Sequence, residues 1–168
     1  MKKAVMIIAL NQFREEELFE PKDILEKSGI EVQVASSALS LATGVAGQTY
    51  MPQLLLKEIK ASDFDAVIFV GGAGATQYWN DPVAHKLVRE AFESGKIVAA
   101  ICVAPVVLAK AGILKGKQAT VWSSDAGQLL VAGAKYSRDN VVKDGKIITA
   151  SGPFAAREFG EALVKAIL

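Results

Sequence analysis

The stretch that decides the fold runs from Lys96 to Leu108 and reads KIVAAICVAPVVL. Its first part, Ile97–Ile101, is apolar at every position, which is typical of a strand covered on both faces in a parallel sheet. The only cysteine of the chain, Cys102, follows at once, and Pro105 suits the first turn of a helix. We therefore predict a tight strand-to-helix turn with a thiol at its tip.

A thiol in this place has both a plain and a functional interpretation. A lone cysteine is most often a small buried hydrophobic residue. At the carboxyl end of a parallel strand, however, Cys102 faces the crevice in which open α/β sheets bind ligands. Helix-start N–H groups there would stabilise a thiolate. The turn also resembles the nucleophile elbow of hydrolases, with sulfur in place of oxygen, and this context favours a functional Cys102.

The rest of the chain alternates apolar strands with amphipathic helices, which predicts an α/β fold with a doubly wound, mostly parallel sheet. The sequence Asp144-Gly145 predicts a hairpin, because this dipeptide is the strongest short-range hairpin signal. We expect a single domain over residues 1–168. The predicted strands are Lys3–Leu10, Ile30–Ser36, Ala66–Val70, Ile97–Ile101, Gln118–Trp122, Val141–Lys143 and Lys146–Thr149. The predicted helices are Glu15–Ser28, Asp81–Ser94, Val103–Ala111 and Phe154–Leu168. Asn11–Arg14 is expected as a polar turn, Ser37–Thr49 as a short hairpin or irregular crossover, and Met51–Ile59 as a short amphipathic element.

Composition excludes several classes of function. A net charge of +1 gives no electrostatic footprint for nucleic acid. One cysteine excludes an internal disulfide framework and fits a reducing compartment, and one histidine argues against a histidine-rich metal site. The apolar run Ala4–Leu10 is too short for a membrane span and lacks a cleavage site. We expect a cytoplasmic protein with no cofactor, metal, nucleic-acid or membrane partner.

Two predicted loops fall at the carboxyl ends of adjacent parallel strands, Gly71–Ala75 and Cys102–Ala104. Glycines there let backbone N–H groups point into the crevice, and with the N–H of Val103 they could form an oxyanion hole. The glycine cluster fails the dinucleotide-binding fingerprint. Taken alone, it is better explained as an ordinary tight turn.

A third loop leads into Glu15-Glu16-Glu17, a run that usually marks a solvated helix start. Pro21 cannot donate to the Glu17 carbonyl, so we expect Glu17 to depart from a regular helical turn. A carboxyl group pointing into the crevice near Cys102 would hold its proton and could donate a hydrogen bond to a thiolate. The two groups would then titrate as a coupled pair.

Several motifs, in order and spacing, resemble the DJ-1/ThiJ/PfpI superfamily over nearly the whole chain. The matching features are Glu17 four residues before Pro21, Gly71-Gly72 after the strand AVIFV, the elbow sequence AICVAP around Cys102, VKDGKIIT from Val142, and Ser151-Gly152-Pro153. None of these motifs would suffice singly, but together they are specific.

The resemblance implies a flavodoxin-like fold, similar to class I glutamine amidotransferases, and a homodimer or larger homo-oligomer. It implies that Cys102 is the reactive cysteine and Glu17 its protonated partner. It also implies that the N–H groups of Gly72 and Val103 bind an oxyanion or an oxidised sulfur. We expect Gly71 and Trp122 to complete the substrate-binding site.

Departures from the family pattern leave three functions open. Protease-like members carry a histidine where Val103 stands, and some members assigned to glyoxal chemistry carry one where Trp122 stands. His85 is expected on an exposed helix face, while Tyr78 and Trp79 either line the pocket or belong to the core. The first hypothesis is an enzyme acting on reactive aldehydes or glycated adducts through Cys102 and Glu17. The alternatives are a redox sensor that responds to an oxidant through Cys102, and an intracellular peptidase-like hydrolase.

Overall fold

The computed structural model describes all 168 residues. Its twelve strands, in chain order, are β1 (Lys3–Ile7), β2 (Asn11–Phe13), β3 (Glu31–Ser36), β4 (Ala42–Gly44), β5 (Thr49–Tyr50), β6 (Leu54–Leu55), β7 (Ala66–Phe69), β8 (Ile97–Ile101), β9 (Gln118–Ala119), β10 (Lys135–Tyr136), β11 (Val141–Asp144) and β12 (Ile147–Ala150). Its α-helices are α1 (Glu15–Lys27), α2 (Pro82–Glu93), α3 (Pro105–Lys110), α4 (Ala126–Val131) and α5 (Ala156–Ile167). Short 3₁₀ segments occupy Leu56–Glu58, Ala61–Asp63, Ala73–Tyr78, Ser123–Asp125 and Pro153–Ala155.

Seven strands form the central sheet, in the order β11-β12-β8-β7-β1-β3-β6. Every neighbouring pair is parallel except β11 and β12, which form the hairpin predicted at Asp144-Gly145. The prediction of a doubly wound, mostly parallel sheet is therefore confirmed. None of the helices is both long and apolar enough to cross a membrane.

Each face of the sheet has its own hydrophobic core. In β1, Val5 and Ile7 pack with residues of α2 and α3, whereas Ala4 and Met6 pack with residues of α1 and α5. Strand β8 is buried at all five positions, as its unbroken apolar run predicts. Because both faces of the sheet are covered, a ligand can bind only at the edge where the parallel strands end. Cys102 follows β8 at this edge.

Three elements differ from the sequence prediction, each because of long-range pairing: β1 and β9 are shorter than expected, and Asn11–Phe13, expected within the polar turn Asn11–Arg14, is strand β2. Strand β1 ends at Ile7 instead of Leu10, because the chain turns away to form a second, three-stranded sheet of β2, β4 and β5. That sheet contains the β4–β5 hairpin, one of the two alternatives for the crossover after β3. Strand β9 has two residues rather than five and pairs with β10 outside the central sheet.

Candidate active site

Cys102 occupies a sharp turn that the surrounding backbone holds in place. Its φ is +66°, a left-handed conformation that costs a non-glycine residue about 1–2 kcal/mol. The Cys102 N–H donates to Ala150 O at 2.9 Å, and the Cys102 carbonyl accepts from the Trp122 N–H at 2.7 Å. The Ala104 N–H donates to Ile101 O at 3.1 Å, so helix α3 begins only at Pro105 rather than at Val103. The side chain is 7% exposed at the end of β8.

Two backbone N–H groups face the sulfur, those of Gly72 and Val103, and both lower the pKa of the Cys102 thiol. Burial nevertheless outweighs them and, together with the charge and hydrogen bond of Glu17, raises the pKa of Cys102 to about 12. The amides act on the sulfur, but the buried thiol is not acidic. Ionisation of the sulfur therefore depends on whether Glu17 carries its proton.

The two glycines are required by close approach. A Cβ on Gly71 would lie 2.6 Å from both Cys102 Cβ and Ile101 O, and would collide with the Glu17 carboxyl. Gly72 adopts a φ of +105°, and a Cβ there would meet the backbone of Phe13 at 2.8 Å. The glycine pair thus lets the cysteine, the glutamate and the loop before α1 come together.

Glu17 lies in the first turn of α1 and is fully buried. Neither carboxyl oxygen has a hydrogen-bond partner of regular geometry in the chain, although Cys102 and the Gly71 N–H lie close enough to lower its pKa. Burial dominates these effects and raises the pKa of Glu17 to about 8. The expected departure from the helix is wrong, since Pro21 lies inside a continuous α1; the helix itself carries Glu17 into the interior.

Arg14 is a residue of this site that the sequence analysis missed. It stands immediately before α1, and its Nε lies 2.8 Å from Glu16 Oε2. Its positive charge lowers the pKa of Glu17. The hydrogen bond with Glu16 raises the pKa of Arg14, and the charges of Glu16, Glu17 and Cys102 add to that rise. Its position three residues before Glu17, across one helical turn, was the available signal.

Trp122 joins the elbow through its backbone, while its side chain forms part of a neighbouring cavity of about 490 Å³. Trp122 is 39% exposed and Phe154, which shares this cavity, is 68% exposed. Cys102 and Glu17 are not part of the wall of this cavity. The lining residues are Val121, Trp122, Ser123, Ala126, Tyr136, Arg138, Asn140, Ser151 and Phe154.

The aromatic pair after the glycine loop takes two different places. Tyr78 belongs to the core, with its hydroxyl donating to Ile8 O at 2.8 Å. Trp79 is half-buried, and its indole Nε1–H donates to Val103 O at 3.0 Å. His85 is half-buried rather than exposed, because its Nε2 lies 2.7 Å from Trp79 O. No group of three or more His, Cys, Asp or Glu side chains is placed to hold a metal ion.

Comparison with known proteins finds relatives that match nearly the whole chain. The glutathione-independent glyoxalase DJR-1.2 of Caenorhabditis elegans is 30% identical over 99% of this chain and 89% of its own length. The deglycase PfpI of Pyrococcus furiosus is 30% identical over 89% of this chain and 90% of its own. The crystal structure of a ThiJ/PfpI domain protein from Brachyspira murdochii superposes with a TM-score of 0.95, at 34% identity, over 98% of this chain and 95% of that one. The flavodoxin-like fold implied by the sequence motifs is confirmed. The sequence model of the DJ-1/PfpI family matches residues 2–166, and the chain belongs to that family.

Proposed function

We propose that the protein is a glyoxalase- or deglycase-type enzyme that acts on small reactive aldehydes or their glycated adducts through Cys102 and Glu17. The observation that carries this proposal is the elbow itself. A strained cysteine faces two backbone N–H groups and a buried carboxyl whose pKa is raised to about 8. The names of two relatives, a glyoxalase and a deglycase, support the same class of substrate.

The first step would join the sulfur to the aldehyde carbon of an α-oxoaldehyde. Glu17, in its ionised form, accepts the thiol proton as the C–S bond forms, and the carbonyl π electrons move to oxygen. The N–H groups of Gly72 and Val103 are placed to hold that oxyanion. Glu17 then returns its proton to the oxygen, which gives a neutral hemithioacetal.

The remaining steps need no external oxidant. Glu17 removes the proton from the carbon bonded to sulfur, which gives an enediolate. The hydroxyl proton passes to the former ketone oxygen, and Glu17 returns its proton to the former ketone carbon. The former aldehyde carbon is oxidised to a thioester while the ketone carbon is reduced to an alcohol. Water then hydrolyses the thioester, which releases a 2-hydroxy acid and restores the thiol.

Conversion of methylglyoxal to lactate tests this function. We expect turnover by the wild-type protein and none above the uncatalysed rate by Cys102→Ser. A matched variant, Ser94→Ala, removes an exposed hydroxyl that donates to Glu90 O at the end of α2 and should retain turnover. Equal rates for wild type and Cys102→Ser would remove Cys102 from the mechanism.

A redox sensor is the second candidate, and the same environment favours it. A protonated Glu17 can donate a hydrogen bond to a sulfinate, and the two backbone N–H groups can hold its oxygens. Intact mass after mild peroxide treatment tests this role. Two added oxygens at Cys102 are expected of a sensor, whereas oxidation confined to the methionines would count against it.

A peptidase-like hydrolase is less well supported. The single histidine contacts the Trp79 carbonyl and does not reach Cys102, so no cysteine–histidine pair forms within the chain. Peptide cleavage by the purified protein that is abolished in Cys102→Ala would revive this alternative.

We further propose that the protein works in the cytoplasm as a homodimer or larger homo-oligomer. Four large apolar side chains are exposed on and beside the β4–β5 hairpin, which supports self-association. They are Leu39, Leu41, Val45 and Met51. Sedimentation of the wild type at several concentrations tests the assembly, and a mass equal to one chain throughout contradicts it.

A further inference from the structure

The indole of Trp79 makes a contact that the reaction outlined above does not use. Its Nε1–H donates to the carbonyl of Val103, the residue directly after Cys102, at 3.0 Å. This carbonyl otherwise accepts only a longer bond, from the Val106 N–H at 3.4 Å. The side chain therefore supplies the shorter of the two hydrogen bonds to the elbow at this point.

Two successive peptide planes flank Val103, and the surrounding residues hold both. The plane between Cys102 and Val103 is fixed at its carbonyl by the Trp122 N–H at 2.7 Å. Because the peptide is planar and trans, the Val103 N–H then points to the opposite side, toward the sulfur. The plane between Val103 and Ala104 is fixed at its N–H by Ile101 O at 3.1 Å, and at its carbonyl by Trp79.

Trp79 is itself anchored. Its carbonyl lies 2.7 Å from Nε2 of His85, a residue of α2. The first turn of α2 is in turn capped by Asp81, whose carboxylate accepts the Val83 N–H at 2.8 Å. The indole thus connects a capped helix start to the peptide directly after the one that presents an N–H to the sulfur.

We propose that Trp79 is a positioning residue for Cys102: by holding the Val103 carbonyl, it fixes the peptide that follows Val103, keeps the Val103 N–H from turning away from the sulfur and so favours the thiolate. This inference rests on Cys102 being the reactive group of the proposed function. It goes beyond it by assigning a determinant of thiol reactivity to a residue outside the cysteine, glutamate and glycine set. His85 supports Trp79 and has no role at the sulfur.

The rate of Cys102 alkylation by iodoacetamide, followed against pH, tests this role without any substrate turnover. Trp79→Phe keeps an aromatic ring but removes the N–H donor. We expect its alkylation rate constant near neutral pH to fall about two- to tenfold, the factor that corresponds to the net contribution of one neutral hydrogen bond. The pH midpoint of alkylation should rise at the same time, a change that lost stability alone does not produce.

Tyr78→Phe is the matched control. It removes a buried hydroxyl from the adjacent residue, but that hydroxyl bonds to Ile8 O, away from the elbow. Its rate and midpoint should equal those of the wild type. A Trp79→Phe protein with the wild-type rate and midpoint would overturn the proposal, whether or not methylglyoxal is turned over. A wild-type protein whose Cys102 is alkylated but which does not convert methylglyoxal would instead count only against the proposed function.

A second measurement uses the unmodified protein, in case Trp79→Phe does not fold. The ¹H–¹⁵N signals of the Trp79 indole and the Val103 amide are followed as pH is raised, with Trp122→Phe assigning the indole. Both signals should move with one midpoint, that of alkylation. An indole signal that stays fixed while the Val103 amide moves contradicts the coupling between them.

Discussion

Glu15 and Glu17 are both buried in the first turn of α1, yet their surroundings differ completely. The Oε2 of Glu15 accepts the N–H groups of Ala46 at 2.8 Å and Gln48 at 3.2 Å, so it fastens the β4–β5 hairpin to the helix. The carboxyl of Glu17 has no regular hydrogen-bond partner and faces Cys102 instead. Residues two apart point to different sides of a helix, so a single turn supplies both a structural clamp and a proton-holding group.

The comparison teaches that burial alone does not decide what a carboxyl does. A carboxylate that accepts backbone N–H groups holds the chain together. One that is buried without such donors has a raised pKa, so it can both take up and return a proton near neutral pH, as an acid–base partner of a neighbouring sulfur must. The following predictions test this difference between Glu15 and Glu17 and the contacts on which it depends.

The largest difference is expected in catalysis. Glu17→Gln should lower kcat/KM for methylglyoxal by about 10²–10⁴-fold, because it removes the only acid–base group beside the sulfur. Glu15→Gln keeps an oxygen acceptor for the two hairpin N–H groups, so its activity should stay within about threefold of wild type. Steady-state kinetics of the three proteins checks this, and equal losses in both variants would contradict the division of roles.

The second-largest effect is expected in the pH dependence of the free energy of unfolding, to which Glu17 contributes. The pKa of Glu17 is raised from 4.5 in the unfolded chain to about 8 in the folded one. Below pH 4.5 the group is protonated in both states; as pH rises toward 8, only the unfolded state releases the proton, so folding is progressively disfavoured. Urea unfolding of Glu17→Gln should therefore show a gain over wild type that grows between these pH values to a few kcal/mol, since one pKa unit is worth about 1.4 kcal/mol. A pH-independent difference for Glu17→Gln would be a contrary result.

The glycines that accommodate the two carboxyls form a matched pair. A Cβ on Gly71 would collide with Glu17 and Cys102, and a Cβ on Gly44 would collide with Glu15. Each alanine variant should lose about 1–3 kcal/mol of stability from overpacking. Only Gly71→Ala should also slow alkylation of Cys102. Unfolding curves and alkylation rates check this, and a slow Cys102 in Gly44→Ala would break the comparison.

The smallest effect is expected at Arg14. Arg14 is partly exposed, and its charge lowers the pKa of Glu17. Arg14→Met should therefore raise the titration midpoint of the Glu17–Cys102 pair by about half a pH unit or less, given solvent screening. The control is Arg89→Met. Arg89 lies on α2 and donates a hydrogen bond to Ala111 O. Salt should weaken the shift at Arg14 and leave the control unchanged; an unshifted midpoint in Arg14→Met at low salt is the contrary outcome.

Local sequence could predict those parts of the site that depend on local backbone. The apolar run of β8 and the glycines after β7 predict two adjacent loops at one edge of the sheet, and these loops bring Cys102 and Gly72 together. Glu17 followed from family motifs rather than from Pro21, because the helix accommodates that proline without interruption.

Apart from Arg14, which lies only three residues before Glu17, the contacts that were missed depend on distant segments. The 3₁₀ turn Ala73–Tyr78 rotates Tyr78 into the core and leaves Trp79 facing the elbow, a choice that neither residue type indicates. His85 is half-buried because its ring contacts the Trp79 carbonyl. The high pKa of the Cys102 thiol depends on how completely the surrounding elements bury it, which no single stretch of sequence records.

The protonation state of Glu17 tests the account most directly. Infrared difference spectra between wild type and Glu17→Gln isolate the carbonyl stretch of a protonated Glu17 carboxyl. With a pKa of about 8, Glu17 should give this band at pH 7 and lose it as the pH rises through about 8. Absence of the band at pH 7, with a carboxylate signal in its place, would contradict it.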